Sequence, residues 1–202
     1  MPAILHFMPG AAQVVEVPRR PTYADIEALP DHLRGEIIAG ELIVSPRPAM
    51  PHIQAASALG AFLNVAFQQG LLGPGGWWIE FEPELHLGRD PNYLVVVPDI
   101  AGWRRASMPT LPMTPFLDQA PNWVCEVLSP GSVRTDRAAK LPFYGREGVE
   151  HVWLVDPLAM ILEVYALDRG SWRVVHIYRG DDPIRAEPFD AVEIPLGKLW
   201  ER

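Results

Sequence analysis

The sequence predicts one α/β domain of the α+β type, with a mixed central sheet flanked by helices and extended by antiparallel hairpins. Three observations predict it. Short β-branched runs bounded by Pro, Gly, Ser and Asn are typical of strands buried on both faces. Residues 77–87 alternate between apolar and polar, and apolar residues recur at helical spacing over 51–67. A chain of 202 residues, 49% of them hydrophobic, is long enough to enclose one sizeable core.

The start of the chain carries no membrane or export signal. Residues 1–10 contain prolines and lack the basic segment of a signal peptide. No apolar run approaches the roughly 20 residues that span a bilayer. We therefore expect a cytoplasmic protein with no membrane partner, in which residues 1–20 form a tail and residues 21–202 form the domain.

The first elements are a short helix and a hairpin. Thr22 and Asp25 form a weak capping box, which predicts a helix that ends before Pro30. Two apolar runs around Ala39-Gly40 predict a β-hairpin over 35–45. Glu36, at the start of this hairpin, is either an accessory acid of a site or an edge-strand charge that deters aggregation.

A longer helix is predicted over residues 51–67, where Gly70 supplies the stop. His52 falls in its first turn. The positive end of the helix dipole disfavours its protonation there. A histidine at such a position is more often a cap or surface residue than a ligand.

The alternation over residues 77–87 predicts a strand with one apolar and one acidic face. Pro83 cannot donate to a ladder, so the strand lies at an edge or is bulged there. A hairpin around residues 88–92 would place the acidic face beside the next strand. That face is either solvated or supplies a third metal ligand, for which Glu82 and Glu84 are the candidates.

The centre of the chain contains two apolar runs that each carry one acid. Residues 93–101 contain Asp99, and residues 123–129 contain Glu126. Burying an ionised carboxylate costs several kcal/mol unless it is protonated, paired or bound to a metal. Acids on adjacent strands, about 4.8 Å apart, can share a divalent cation through oxygen ligands.

A helical segment follows the second run. Asp136, Lys140 and Tyr144 are spaced i, i+4, i+8 and therefore share one face. If that face turns toward Glu126, an ammonium joins two carboxylates. Pro142 removes a helix N–H and leaves the direction of Lys140 open.

The long loop before the central site is of a kind that is often functional in a compact domain, whereas nothing after the central site looks catalytic. Residues 103–121 form a long loop, 148–156 a buried strand, 161–178 a hairpin with a three-residue loop, and 191–194 a last strand. The single cysteine, Cys125, excludes an internal disulfide, and with no histidine near it in sequence it is core filler rather than a nucleophile.

Taken together, these motifs resemble the Uma-type restriction endonucleases, a branch of the PD-(D/E)xK nuclease superfamily. The resemblance covers about residues 21–167. The matching positions occur in the same order and at similar spacing: Glu36, Ser45-Pro46, His52, Pro98-Asp99, Glu126 to Pro130, Asp136, Lys140 and Gly148 to Pro157. The resemblance implies a restriction-endonuclease-like fold and a phosphodiesterase core that uses Mg²⁺ or Mn²⁺.

The resemblance also implies roles for single residues. Asp99 and Glu126 would hold the metal. Leu128 stands where the superfamily pattern places lysine, so Lys140 would replace it and support the water or the developing charge. Glu36, His52 and Asp136 match the family pattern and would be accessory residues. Independently of the resemblance, the acidic face offers Glu84 as a further metal ligand and Glu82 as an accessory acid, and the helical spacing adds Tyr144.

The net charge of the chain does not by itself indicate a nucleic-acid partner. The formal net charge is −8, so the chain has no overall electrostatic footprint for nucleic acid. Local basic residues follow both acids, and they are either solvated charges or phosphate contacts: Arg104, Arg105, Arg134 and Arg137. DNA is the expected substrate, and a homodimer is expected if both strands are cut.

Two other functions remain open at this point. A binding or regulatory module would keep the fold without the chemistry, with Lys140 and Glu126 as a buried ion pair. A glycosidase would use Glu126 with one of the acids of residues 80–84, but that chemistry needs an acid and a base set across a sugar cleft, for which the sequence gives no sign.

Overall fold

The computed structural model describes residues 11–17, 19–90 and 92–201. The strands are β1 Gln13–Val15, β2 Leu33–Ile38, β3 Glu41–Pro46, β4 Trp77–Phe81, β5 Leu85–Leu87, β6 Leu94–Val96, β7 Ile100–Arg104, β8 Trp123–Val127, β9 His151–Asp156, β10 Ile161–Asp168, β11 Ser171–Arg179, β12 Pro183–Ile184 and β13 Ile194–Pro195. The helices are α1 Tyr23–Glu27, α2 Met50–Leu63, α3 Val133–Thr135 and α4 Leu141–Arg146, with π-helical turns at Asn64–Gln68 and Asp136–Lys140 and a 3-10 turn at Leu196–Leu199. No helix in the described part of the chain is long and apolar enough to cross a bilayer.

Two sheets carry the fold. The first has five strands in the order β1-β3-β2-β6-β5, all antiparallel. The second has six strands in the order β11-β10-β9-β8-β7-β4, antiparallel except for the parallel pair β8–β9. A parallel pair needs a crossover, and here it carries α3, the second π-turn and α4. The mixed sheet flanked by helices confirms the predicted fold class.

The hydrophobic core lies on both faces of the six-stranded sheet. On one face, Val124 and Leu154 pack with Leu94 and Val96 of the five-stranded sheet. On the other face, α2 and the C-terminal segment cover Trp123 and its neighbours. The helix α1 covers the outer face of the five-stranded sheet. Side chains of the two sheets pack together in one cluster, so segments that are distant in sequence lie close to each other where the sheets meet.

The chain crosses between the two sheets at two prolines, which corrects the two continuous strands expected from the sequence. The apolar–polar alternation breaks at residues 82–84, where Glu82 adopts a φ of +46° before Pro83, so that β4 and β5 join different sheets. Likewise, residues 93–101 divide at Val97-Pro98-Asp99 into β6 and β7. Proline cannot donate to a ladder, so the chain leaves each sheet there. Asp99 therefore lies at a crossing point and not inside a strand.

Most local signals agree with the structure. The capping box at Thr22 forms, and α2 with its π-turn ends at Gly70, whose φ is +70°. The hairpin β2–β3 turns through Ala39 and Gly40 with φ values of +56° and +77°, as a two-residue type I′ turn requires.

Three local expectations are corrected. The loop of the hairpin β10–β11 has two residues, Arg169 and Gly170, rather than three, because Asp168 already pairs with Ser171. The last strand was expected over residues 191–194, but it is β13, which covers residues 194–195 and pairs with β12. Within the stretch predicted as a tail, β1 pairs with β3, whereas residues 1–10 lie outside the described residues.

Candidate functional site

A cleft of about 740 Å³ opens where the chain passes from the five-stranded to the six-stranded sheet. Its walls come from β2, the end of β3, the start of α2, the link before β7, the end of β8 and the crossover. Six of the predicted site residues line it: Glu36, His52, Asp99, Glu126, Asp136 and Lys140. The fold thus gathers residues that are up to about a hundred positions apart in sequence.

The two central acids lie side by side. The antiparallel register pairs Ile100 with Cys125, so Asp99, directly before Ile100, adjoins Glu126, directly after Cys125, and both side chains line the cleft. Asp99 is 6% exposed and Glu126 is 2% exposed. The backbone N–H of Val127 donates to Asp99 Oδ2 over 2.7 Å, and His52 Nε2 lies 3.1 Å from the same oxygen. These contacts fix one oxygen of Asp99.

Lys140 points into the acid cluster. Its Nζ lies 2.9 Å from Glu36 Oε1, 3.3 Å from Glu126 Oε1 and 3.5 Å from Asp136 Oδ1. The helical segment widens into a π-turn at Asp136–Lys140 and then continues as α4, whose second residue is Pro142. Since Pro142 lacks an N–H, the regular hydrogen bonding cannot continue through it, and a π-turn accommodates the change. The proline therefore does not turn Lys140 away.

Tyr144 completes the helical face that the spacing indicated. Its hydroxyl donates to Glu126 Oε1 over 2.6 Å, and the ring is 1% exposed. Burial, followed by the charge of Glu126, raises the pKa of Tyr144 well above its usual value. The phenol therefore stays protonated and acts as a fixed donor that orients Glu126.

The cluster carries more negative than positive charge. Burial, reinforced by the neighbouring carboxylates, raises the pKa of Glu126 well above its ordinary value, although Lys140 opposes the shift. Burial also raises the pKa of Asp136 to about 6. Burial alone would lower the pKa of Lys140, but Glu126, Glu36 and Asp136 outweigh it and the pKa is raised. Three carboxylates around one ammonium, with Asp99 beside Glu126, leave the site short of positive charge.

The raised pKa of Asp136 predicts that stability falls as the pH rises. Because the pKa of Asp136 is raised from 3.8 to about 6 in the folded state, the native protein binds more protons than the unfolded chain and loses stability as the pH rises through that window. Asp136→Asn should remove this loss. Between pH 4 and pH 7 the free energy of unfolding of the variant, relative to wild type, should rise by about 2–3 kcal/mol. Urea unfolding of the metal-free proteins at both pH values checks this, and a difference that does not change with pH would contradict it.

The free oxygens of the two central acids suit a divalent cation. Asp99 Oδ1 and Glu126 Oε2 take part in no hydrogen bond or ion pair among the described residues, whereas the second oxygen of each acid is engaged. No three His, Cys, Asp or Glu side chains of residues 11–17, 19–90 and 92–201 form a ready-made metal centre. Mg²⁺ is commonly bound through one or two carboxylates together with water and substrate phosphates. Two adjacent carboxylates with unengaged oxygens therefore fit it.

Two predicted acids lie elsewhere. Glu84 Oε1 lies 2.8 Å from His86 Nε2, and the side chain is not part of the cleft wall. Glu82 is half exposed and forms an ion pair with Arg34. The break at Pro83 is the physical reason, because it directs the two halves of the expected acidic face toward different sheets. The structure does not bring Glu84 to the cleft that contains Asp99 and Glu126.

The basic residues that follow the two acids are also engaged away from the cleft. Arg104 pairs with Glu150, Arg105 stacks on Trp78 and Arg137 pairs with Glu163. None of these arginines lines the cleft, and Arg134 does not line it either.

The cleft instead contains Arg34 and Arg47, which the sequence analysis did not single out. The available signal for Arg34 was its position two residues before Glu36, which puts both side chains on one face of β2. Cys125 is fully buried, and burial raises the pKa of its thiol well above the usual value. This agrees with a structural cysteine.

Comparison with known proteins identifies the family of the chain. Residues 20–197 match the model of the Uma2 family, described as "Putative restriction endonuclease". The chain belongs to the Uma2 family. The predicted family is thereby confirmed, and the Uma2 description supports a nuclease as the broad class of activity. No curated protein matches the sequence.

A solved structure shows the same fold. It is the crystal structure of "a putative nuclease belonging to DUF820" from Anabaena variabilis ATCC 29413, with 20% sequence identity and a TM-score of 0.68. The match covers 83% of this chain and 89% of that chain. At 20% identity the likeness shows the fold alone. This fold is of the restriction-endonuclease type, as predicted for this Uma2 chain.

Proposed function

We propose that this chain is an endonuclease that hydrolyses the phosphodiester bonds of DNA with Mg²⁺ or Mn²⁺. The observation that carries the proposal is that Asp99 and Glu126 adjoin each other in one cleft, each with an unengaged oxygen, beside the ammonium of Lys140. Family membership supports the nuclease class. Cytoplasmic location, DNA as the substrate and a homodimer for cutting both strands are further parts of the proposal.

In this proposal each residue has a defined task. A divalent cation, when bound, polarises a phosphoryl oxygen and lowers the pKa of water. Asp99 and Glu126 hold the cation, while the Val127 N–H and the Tyr144 hydroxyl keep the two carboxylates in place. Lys140 supplies a fixed positive charge close to the negative charge that develops during in-line displacement.

The acidic net charge restricts how DNA is held. Affinity for a phosphate backbone comes mainly from cationic side chains. Arg34 and Arg47 line the cleft, so they are the cations best placed to meet phosphates. We therefore expect a small number of phosphate contacts and a correspondingly shallow dependence of DNA affinity on salt concentration.

Plasmid nicking in the presence of Mn²⁺ tests the proposal directly. Lys140→Ala should reduce the cleavage rate by about 10²-fold or more, because a preorganised charge at the reacting phosphate is removed. The chain contains one other lysine, Lys198, which is exposed and pairs with Glu201. Lys198→Ala is therefore a matched control and should cleave like wild type. Circular dichroism of both variants establishes that they are folded.

A binding or regulatory module is the second candidate, and the contact between Lys140 and Glu126 favours it. An ammonium 3.3 Å from Glu126 Oε1 could neutralise this acid without a metal. In that case calorimetry would show no Mn²⁺ binding to wild type, and no plasmid would be cut. Those two negative results together would replace the nuclease proposal by the module.

A further inference from the structure

We propose that Glu36 is the counter-ion of Lys140 and acts as a positioning residue, because it holds the lysine ammonium closer to itself than to Glu126 and so leaves Glu126 open to a divalent cation. This inference deepens the proposed function and rests on it. It assigns to Glu36 a task different from binding the metal itself.

The first support is the order of distances at the ammonium. Glu36 Oε1 is the nearest carboxylate oxygen to Lys140 Nζ, at 2.9 Å, whereas Glu126 Oε1 is at 3.3 Å and Asp136 Oδ1 at 3.5 Å. Lys140 is only 5% exposed, so water contributes little to its solvation. A buried ammonium depends on its carboxylate partners, and Glu36 is the closest of them.

The second support is the way Glu36 is held. Its Oε1 also accepts the backbone N–H of Val97 over 2.9 Å, and the residue is 9% exposed. Val97 begins the link that ends at Asp99. Glu36 thus connects β2, the crossing segment and Lys140 through one oxygen, which fixes the position of the ammonium relative to the metal-binding acids.

The third support is that Glu126 already has another donor. Its Oε1 accepts the Tyr144 hydroxyl over 2.6 Å, which is shorter than its distance to Lys140. Glu126 is therefore oriented by a neutral donor, whereas the nearest partner of the Lys140 ammonium is Glu36. A neutral donor orients a carboxylate without cancelling the charge that attracts a cation.

Removing the charge of Glu36 should therefore redirect Lys140. With glutamine at position 36, the ammonium retains Glu126 and Asp136 as charged partners and should move toward Glu126. A positive charge in contact with a metal-binding acid repels a dication. The amide oxygen of glutamine can still accept the Val97 N–H, so the link to the crossing segment is retained.

The test is Mn²⁺ affinity measured by calorimetry on the full chain, with free Mn²⁺ followed by its paramagnetic resonance signal. Glu36→Gln should weaken Mn²⁺ binding by about 10- to 100-fold, the usual effect of changing a residue that supports a metal ligand. Adding Lys140→Gln to Glu36→Gln should restore the affinity to within about threefold of wild type, because the competing ammonium is gone. Cleavage should remain impaired in the double variant, since Lys140 is missing.

Each other outcome overturns the inference. If Glu36→Gln binds Mn²⁺ weakly and the double variant does not restore the affinity, Glu36 is a metal ligand or a purely structural residue. If Glu36→Gln binds Mn²⁺ like wild type, Glu36 does not position Lys140. If Glu36→Gln does not fold, Lys140→Gln alone decides: the inference expects a change in affinity of less than about threefold, and a larger loss contradicts it. Wild type that binds no Mn²⁺ refutes the proposed function itself, which separates the two failures.

Discussion

Asp99→Asn is expected to abolish measurable Mn²⁺ binding and to lower the rate of DNA cleavage by about 10³-fold, equivalent to about 4 kcal/mol of lost transition-state stabilisation. Asparagine has nearly the shape of aspartate, and its amide oxygen can still accept the Val127 N–H that Asp99 Oδ2 accepts. The substitution therefore removes a negative charge and one metal-binding oxygen while it leaves the local packing in place. Calorimetry and plasmid nicking measure the two effects.

Glu84→Gln is the matched control for this prediction. It also neutralises one carboxylate, but at a position where the side chain contacts His86 and does not line the cleft. Metal affinity and cleavage should equal those of wild type. A loss of Mn²⁺ binding in Glu84→Gln, or full binding in Asp99→Asn, would show that the metal-binding acids are assigned to the wrong positions.

Phe189→Ala should be strongly destabilising, at about 3–5 kcal/mol, the usual cost of truncating a buried aromatic side chain to alanine. Phe189 is fully buried, and its ring centroid lies 4.7 Å from Phe67, 4.9 Å from Trp77 and Trp123, and 5.6 Å from Trp153. It joins the C-terminal segment to the six-stranded sheet. Urea unfolding at neutral pH should show a lower midpoint with an unchanged slope.

Phe62→Ala provides the comparison. Phe62 lies on α2 and is 37% exposed, and alanine is the better helix former, so the loss should stay below about 1 kcal/mol. Phe189 packs on the face of the sheet opposite the acid cluster. Folded Phe189→Ala should therefore retain Mn²⁺ affinity at low temperature. A cost equal to that of Phe62→Ala would contradict the packing described here.

Several features followed from the sequence because they depend on neighbouring residues. The Ala39-Gly40 turn, the capping box at Thr22 and the stop at Gly70 are set by local backbone preferences. The shared face of Asp136, Lys140 and Tyr144 follows from helical spacing alone. The structure shows that Lys140 and Tyr144 both contact Glu126 and that Asp136 contacts Lys140, as the spacing allowed.

Other features escaped the sequence analysis because they depend on distant partners. Both prolines, Pro83 and Pro98, were visible, but a proline shows only that a ladder is interrupted and not which sheet the chain enters next. This ambiguity produced the expectation that Glu84 would reach the metal-binding acids. Likewise, the pattern of residues 183–195 gave no sign that Phe189 fills a pocket among four aromatic rings.

By itself, the sequence determined the family, the mixed α+β class and two acids in apolar runs, because hydrophobic pattern and residue order are local and additive. Only the tertiary structure decided which carboxylates share Lys140, since that depends on Glu36 arriving from a hairpin about a hundred residues earlier. It also decided that Asp99 lies between two sheets and not inside one. The physical reason is that burial and charge pairing are properties of the packed chain, and no window of sequence contains both partners.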